Sequence, residues 1–200
     1  MQEGHAIRIV GGQARGRRLV APKGLATRPT GERVREALFN MLGLEVESAT
    51  VLDLYAGSGA LALEALSRGA ASAWLIEPDY QARQAIKKNL AVLSPGTEVV
   101  VKALSAERFM TQAVKMGKRF SLIFCDPPWK LGLGRIVIQT LGNITEPGGL
   151  VIVEHPASQN TIVIPGLVPQ RRRQWGDTAV SWYRSETPQI LSREDPAGEP

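Results

Sequence analysis

Hydrophobic and polar positions change their period twice along this chain of 200 residues. In "RPTGERVREALFNMLG" (28–43), Val34, Ala37, Leu38, Met41 and Leu42 recur on one face at helical spacing. They predict a helix that starts at Pro29 and Thr30, with Thr30 as N-cap, Glu32 in the first turn and Gly43 at the end. From residue 50 the pattern becomes short apolar runs alternating with longer amphipathic segments. Runs at 50–55, 72–78, 98–102, 120–125 and 149–155 predict strands, separated by helices over 60–68, 79–93, 105–116 and 131–142. The strands are apolar almost without interruption, as in a parallel sheet covered by helices on both faces. Upstream, "AIRIVGGQARGRRLVAP" (6–22) reads as a hairpin around a Gly-rich turn. Downstream of Pro156, "NTIVIPG" and "DTAVSWYRS" predict two further antiparallel strands that flank "RRRQW" as a loop. The expected organisation is an N-terminal hairpin extension (1–28), one α/β domain (29–184) and a disordered polar tail (185–200).

Composition adds limits. The chain is 44% hydrophobic and 22% charged, and no apolar run reaches the roughly 20 residues that span a bilayer. No cationic start precedes an apolar leader, and Cys125 is the single cysteine, so a cytoplasmic protein without disulfides is expected. The net charge of +5 is confined to residues 1–40, where eight basic side chains face three acids; the remaining 160 residues hold sixteen of each. Seven of those eight cations are arginine, whose planar fork suits phosphate, which points to a nucleic-acid partner. Arg8, Arg15, Arg17, Arg18, Arg28 and Arg33 are the candidate contacts. His5 and His155 have no Cys or carboxylate cluster at metal-ligand spacing, so no metal is expected. His155 and Cys125 read as structural. Arg171 to Arg173 read equally as a second nucleic-acid contact or a solvated loop.

The candidate chemistry sits at the carboxyl ends of the predicted strands. "LDLYAGSGALALEAL" (52–66) is a strand, a Gly-x-Gly turn and a helix. Gly57 and Gly59 permit close ligand approach, and the backbone N–H groups of the next helix face that ligand. Glu77, 20 residues after Gly57, is placed to accept ribose hydroxyls. A nicotinamide dinucleotide fits the same spacing, since Gly57-x-Gly59-x-x-Ala62 matches its fingerprint. Asp53 argues against a pyrophosphate and for an ammonium, which S-adenosylmethionine supplies together with a ribose. Strand-end acids that only cap neighbouring helices are the plainer alternative. The fourth strand ends in Asp126-Pro127-Pro128-Trp129. Consecutive prolines stiffen an extended backbone, so the Asp126 carboxylate and the Pro127 carbonyl form a paired acceptor for the two hydrogens of an exocyclic amine. Trp129 offers a stacking face. Guanine and adenine both present such an amine.

"IVGGQARGRRL", "RPTGERVREALFNML", "DLYAGSGALALEALSRGA" and "DPPW" together resemble the bacterial ribosomal RNA small subunit methyltransferase D family, over residues 7 to 155 and weakly to 184. The resemblance implies a class I S-adenosylmethionine-dependent methyltransferase fold, Rossmann-like, acting as a monomer on a guanine N2 amine of 16S rRNA in the small subunit or its precursor. It implies cofactor contacts from Asp53, Tyr55, Ala56, Gly57, Ser58, Gly59, Glu77, Pro78, Leu104 and Asp126. Asp126, Pro127, Pro128 and Trp129 would hold the base. An N6-adenine methyltransferase acting on DNA or RNA, and a non-catalytic RNA-binding assembly factor, are the alternatives. The chain departs from the family pattern in two places. Leu104 and Ser105 stand where a polar side chain near the adenine is usual, and Trp129 replaces Tyr or Phe.

Overall fold

The apolar runs form one seven-stranded sheet in a computed structural model that describes residues 7–22, 30–93, 96–129 and 132–186. Its strands are β3 (Thr50–Asp53), β4 (Ser72–Ile76), β5 (Glu98–Lys102), β6 (Phe120–Cys125), β7 (Thr145–Pro156), β8 (Leu167–Trp175) and β9 (Thr178–Ser185). They lie in the order β5-β4-β3-β6-β7-β9-β8, parallel from β5 through β7 and antiparallel for β9 and β8. The central strands are buried on both faces, and that is why they carry no polar alternation. Helices α1 (Thr30–Leu42), α2 (Ala60–Ser67) and α3 (Tyr80–Asn89) cover one face. There Val34, Leu38, Phe39, Ala62, Leu66 and Ile86 pack on Val51, Leu122 and Phe124. Helices α4 (Ala106–Lys115) and α5 (Arg135–Ile144) cover the other, with Phe109, Met110, Val137 and Leu141 against Leu52, Ile123 and Val151.

The connection from β3 runs outward to β4 and β5, then returns to β6 on the other side of β3. The resulting switch point is the crevice where open α/β sheets bind ligands. It sets the carboxyl ends of β3 and β6 side by side, with Asp53 in register with Phe124, two residues before Asp126.

The N-terminal hairpin pairs β1 (Ile7–Arg8) with β2 (Arg18–Leu19) and packs on α2. Ile9, Ala14 and Leu19 bury against Leu63, and the Gln13 N–H donates to the Ser67 carbonyl at 2.7 Å. At Gly12 (φ +73°) a Cβ would stand 1.9 Å from that carbonyl oxygen, so only glycine fits.

Two expectations for the chain end are corrected. "NTIVIPG" forms no strand. Ile164 is buried, and the Ile162 carbonyl accepts from the Tyr183 hydroxyl at 3.0 Å. Instead "RRRQW" lies inside β8, one of the two edge strands of the sheet, where six successive positions after Val168 are exposed. A solvated edge strand tolerates charge on both faces, so its composition hides its conformation. The helix expected over 131–142 occupies Arg135–Ile144. Arg28, Pro29 and residues 187–200 lie outside the described residues, as does the side chain of Thr30.

Candidate active site

The glycine turn joins β3 to α2. Gly57 (φ +53°) and Gly59 (φ +81°) both adopt left-handed backbone, and Gly59 is the N-cap of α2. A side chain at Gly59 would press to 3.0 Å on Leu75, whereas a Cβ at Gly57 would meet open space. Glycine at 59 therefore serves packing. Gly57 leaves its surroundings free for a ligand.

Glu77 lies just past β4, only 8% exposed, and fastens the turn from the side. Its Oε2 accepts the Gly57 N–H and its Oε1 the Asp79 N–H, each at 2.8 Å. A carboxylate has about four lone-pair sites, so both oxygens retain capacity for hydroxyl donors. Asp53 is 1% exposed. Its Oδ2 accepts the Ala62 N–H of α2 at 3.3 Å, while Oδ1 has no hydrogen-bond partner among the described residues. Burial pushes the Asp53 carboxyl up to about 7, the Ala62 N–H opposes the rise, and the charges of Asp126 and Glu77 add to it. Both acids thus do the capping work open to strand-end acids, and both keep acceptor capacity for a ligand. The buried Tyr55 hydroxyl also lacks a partner among the described residues. These unmatched polar atoms beside an open glycine turn fit a ligand that carries an ammonium and hydroxyls.

Ala56 accepts the Gly59 N–H and donates to Ile76, closing the turn. The Ser58 and Pro78 carbonyls accept from Asn89 and Arg83. Leu104 is half-buried against the α4 layer, and the Ser105 hydroxyl caps α4 by accepting the Arg108 N–H at 3.4 Å. At this point the sequence therefore presents an apolar surface, with its one hydroxyl already engaged.

At the end of β6, Asp126 lines a cavity of about 130 Å³ bounded by Val34, Arg35, Ala60, Leu61, Ile152 and Glu154. Ala60 and Leu61 open α2 immediately after the glycine turn, so the two halves of the site share that wall. Pro127 and Trp129 line a second, smaller pocket on the α5 face with Leu133, His155 and Ile162. Glu154 borders both pockets, which therefore meet at the end of β7. Asp126 and Trp129 thus stand in different walls rather than in one. The Pro128 carbonyl accepts the Gly132 N–H at 3.1 Å.

Cys125 is fully buried, and desolvation pushes its thiol far above the ordinary range, as for a core residue. His155 Nε2 lies 2.8 Å from the Ser181 hydroxyl and its Nδ1 3.0 Å from the Pro156 carbonyl. Burial lowers its pKa, consistent with a neutral ring that donates to Pro156 and accepts from Ser181.

Arg15, Arg17, Arg18 and Arg33 are exposed. Arg8 pairs with Glu32 at 3.0 Å. Arg35, one of the eight cations counted near the N-terminus, is 6% exposed and belongs to the interior. It donates to the Arg8 carbonyl and faces Glu64 at 3.7 Å. Glu64 is fully buried and also binds Arg68 and the Val10 N–H, each at 2.8 Å. A lone acid in the apolar helix "ALALEALS" was the available signal for this network.

Asn89 is a second residue the sequence pattern does not single out. Its Oδ1 accepts the Val20 N–H at 2.7 Å, and its Nδ2 donates to the Val20 carbonyl at 3.0 Å and the Ser58 carbonyl at 2.9 Å. One buried amide thus ties the hairpin to the glycine turn.

The family model described as Conserved hypothetical protein 95 matches residues 7–184. The chain is 40% identical over 187 residues to "Ribosomal RNA small subunit methyltransferase D" of Escherichia coli strain K12, covering 90% of each. It superimposes on a solved Escherichia coli structure described as "Putative methyltransferase yhhF", with TM-score 0.80 and 41% identity over 90% of this chain and 98% of that one. The N-methyltransferase NodS of Bradyrhizobium japonicum WM9 shares the fold at 16% identity, with TM-score 0.61 over 79% of this chain and 98% of that one. The fold is that of the S-adenosylmethionine-dependent methyltransferases.

Proposed function

The chain belongs to the family of ribosomal RNA small subunit methyltransferase D, enzymes that methylate ribosomal RNA with S-adenosylmethionine, and from that premise we propose that it methylates the exocyclic N2 amine of a guanine in 16S rRNA. The observation that carries the reading is the convergence of Asp53 and Asp126 at the switch point of the sheet. One acid lies beside the glycine turn and the other in the wall of the adjoining cavity. When bound, the cofactor supplies a methyl group already activated by its sulfonium.

The chain's own residues supply position and charge. Asp53, Tyr55, the turn from Ala56 to Gly59, Glu77, Pro78 and Leu104 would hold the cofactor. Asp126 and the Pro127 carbonyl accept the two amine hydrogens and orient the nitrogen lone pair towards the methyl group. They also offset the positive charge that develops on nitrogen, a stabilisation that operates only as the reaction proceeds. Trp129 supplies a stacking face worth roughly 1–3 kcal/mol. A paired base is out of reach, so the target is unstacked or looped out.

Asp126→Ala is expected to lower methyl transfer to small ribosomal subunits at least about a hundredfold, while S-adenosylmethionine affinity changes little. Transfer at near wild-type rate by this variant would remove Asp126 from the mechanism. Mass spectrometry of nucleosides from the product distinguishes the bases. N2-methylguanosine supports the proposal, and N6-methyladenosine replaces guanine by adenine.

A further inference from the structure

Strand β8 carries three consecutive exposed arginines, and the register of the sheet separates them. Directly paired residues of antiparallel strands project from the same face. Arg171 pairs with Trp182, which pairs with Ile152; Arg173 pairs with Val180, which pairs with Glu154. Ile152, Glu154 and Val180 all line the Asp126 cavity. Arg171 and Arg173 therefore belong to the cavity face of the sheet. Arg172 pairs with Ser181 and Val153 on the opposite face, where its guanidinium donates to the Ala157 carbonyl at 2.6 Å. Among the described residues neither Arg171 nor Arg173 has an ion-pair partner.

Arg173, Val180, Glu154 and the start of the Asp126 loop form one row across β8, β9, β7 and β6. Three strand spacings of about 4.8 Å put the arginine backbone about 14 Å from the loop, and the side chain extends over the rim. The cavity wall carries the Asp126 and Glu154 carboxylates together with the buried Arg35 guanidinium, polar groups that suit the edges of a base. A neutral base is admitted there, while its backbone is drawn to the arginines outside. The exposed Arg33 on α1 stands on the other side of the cavity, where Gly31, Val34 and Arg35 form the wall.

We propose that Arg171 and Arg173 form a phosphate-binding strip that holds the RNA strand flanking the target base, with Arg172 outside it. The inference rests on the functional reading above and extends it to the path of the RNA. Arginine on an edge strand also guards against edge-to-edge association, but that role makes no distinction between alternate residues.

The test compares wild type, Arg171→Ala/Arg173→Ala and Arg172→Ala. All three positions are exposed, so folding is preserved and is checked by an unchanged S-adenosylmethionine Kd. The RNA Kd is measured on 16S rRNA transcribed in vitro and on purified small subunits, between 50 and 300 mM salt. The double variant is expected to bind RNA several-fold more weakly, with the slope of log K against log salt reduced by about 1.4–1.8, that is about 0.7–0.9 per phosphate. Arg172→Ala should keep the wild-type slope. An unchanged slope in the double variant overturns the strip and leaves the functional reading standing, as does an equal loss in Arg172→Ala. Wild type that neither binds nor methylates either RNA overturns the functional reading and the strip together.

Discussion

Asp53 answers two opposed demands. Burial makes its ionised form costly, and its carboxyl titrates near 7 instead of at the ordinary 3.8. The unfolded chain therefore loses this proton first, and stability falls as pH rises from about 4 to about 7, then levels off. The loss amounts to up to about 4 kcal/mol, because each tenfold change in proton affinity is worth about 1.4 kcal/mol. Asp53→Asn removes it, and the ligand-free variant should melt at a higher temperature than wild type at pH 8, with the difference disappearing near pH 4. A cofactor ammonium held beside Oδ1, as proposed, would favour the ionised form, so wild-type affinity for S-adenosylmethionine should rise several-fold between pH 6 and pH 8. In Asp53→Asn it should be weaker and flat across that range. Calorimetric titration at the two pH values checks both statements, and a variant with wild-type affinity and pH dependence would detach Asp53 from the cofactor. Sequence spacing singled the residue out as a candidate. Its missing partner at Oδ1 and its displaced titration come from burial, which spacing does not report.

The elements that spacing identified best are those with an unbroken apolar run, whether central and buried, as β6, or half-buried at the sheet edge, as β5. β5 and β6 occupy the expected residues, and β3 and β4 end two residues early, where the chain turns into the site. β8 escaped because its exposed positions carry polar and charged residues, whereas the other edge strand, β5, keeps the half-buried apolar run from Val99 to Val101. The joints between elements escaped for another reason: they rest on single buried polar groups. Asn89 on α3 holds the end of the hairpin and the glycine turn together. Asn89→Ala leaves the Val20 N–H and C=O and the Ser58 carbonyl without this partner, at a cost of about 1–3 kcal/mol. Hydrogen exchange at the Val20 amide should accelerate, and cofactor affinity should fall as the turn loosens. Unchanged exchange at Val20 would show that the hairpin is held without Asn89.

At the scale of the whole molecule, charge asymmetry was legible from composition, but which charges face outward was not. Arg35 counts towards the N-terminal excess yet lies inside the Glu64 network, and Arg8 is engaged with Glu32. Among the described residues, the free basic surface of the hairpin is Arg15, Arg17 and Arg18, set on α2, the helix that opens with the glycine turn. Arg15→Ala/Arg17→Ala/Arg18→Ala should reduce the salt slope of RNA binding by about 2–3 and leave S-adenosylmethionine affinity intact. Hairpin and β8 lie on different elements and share no hydrogen bond or ion pair among the described residues, so their contributions should add. A protein carrying both sets of substitutions should therefore lose about 3.5–5 in slope, the sum of the two effects. A combined variant that loses no more than the hairpin variant alone would mean that one bound RNA does not touch both surfaces, and the path from hairpin to cavity to edge strand would have to be redrawn.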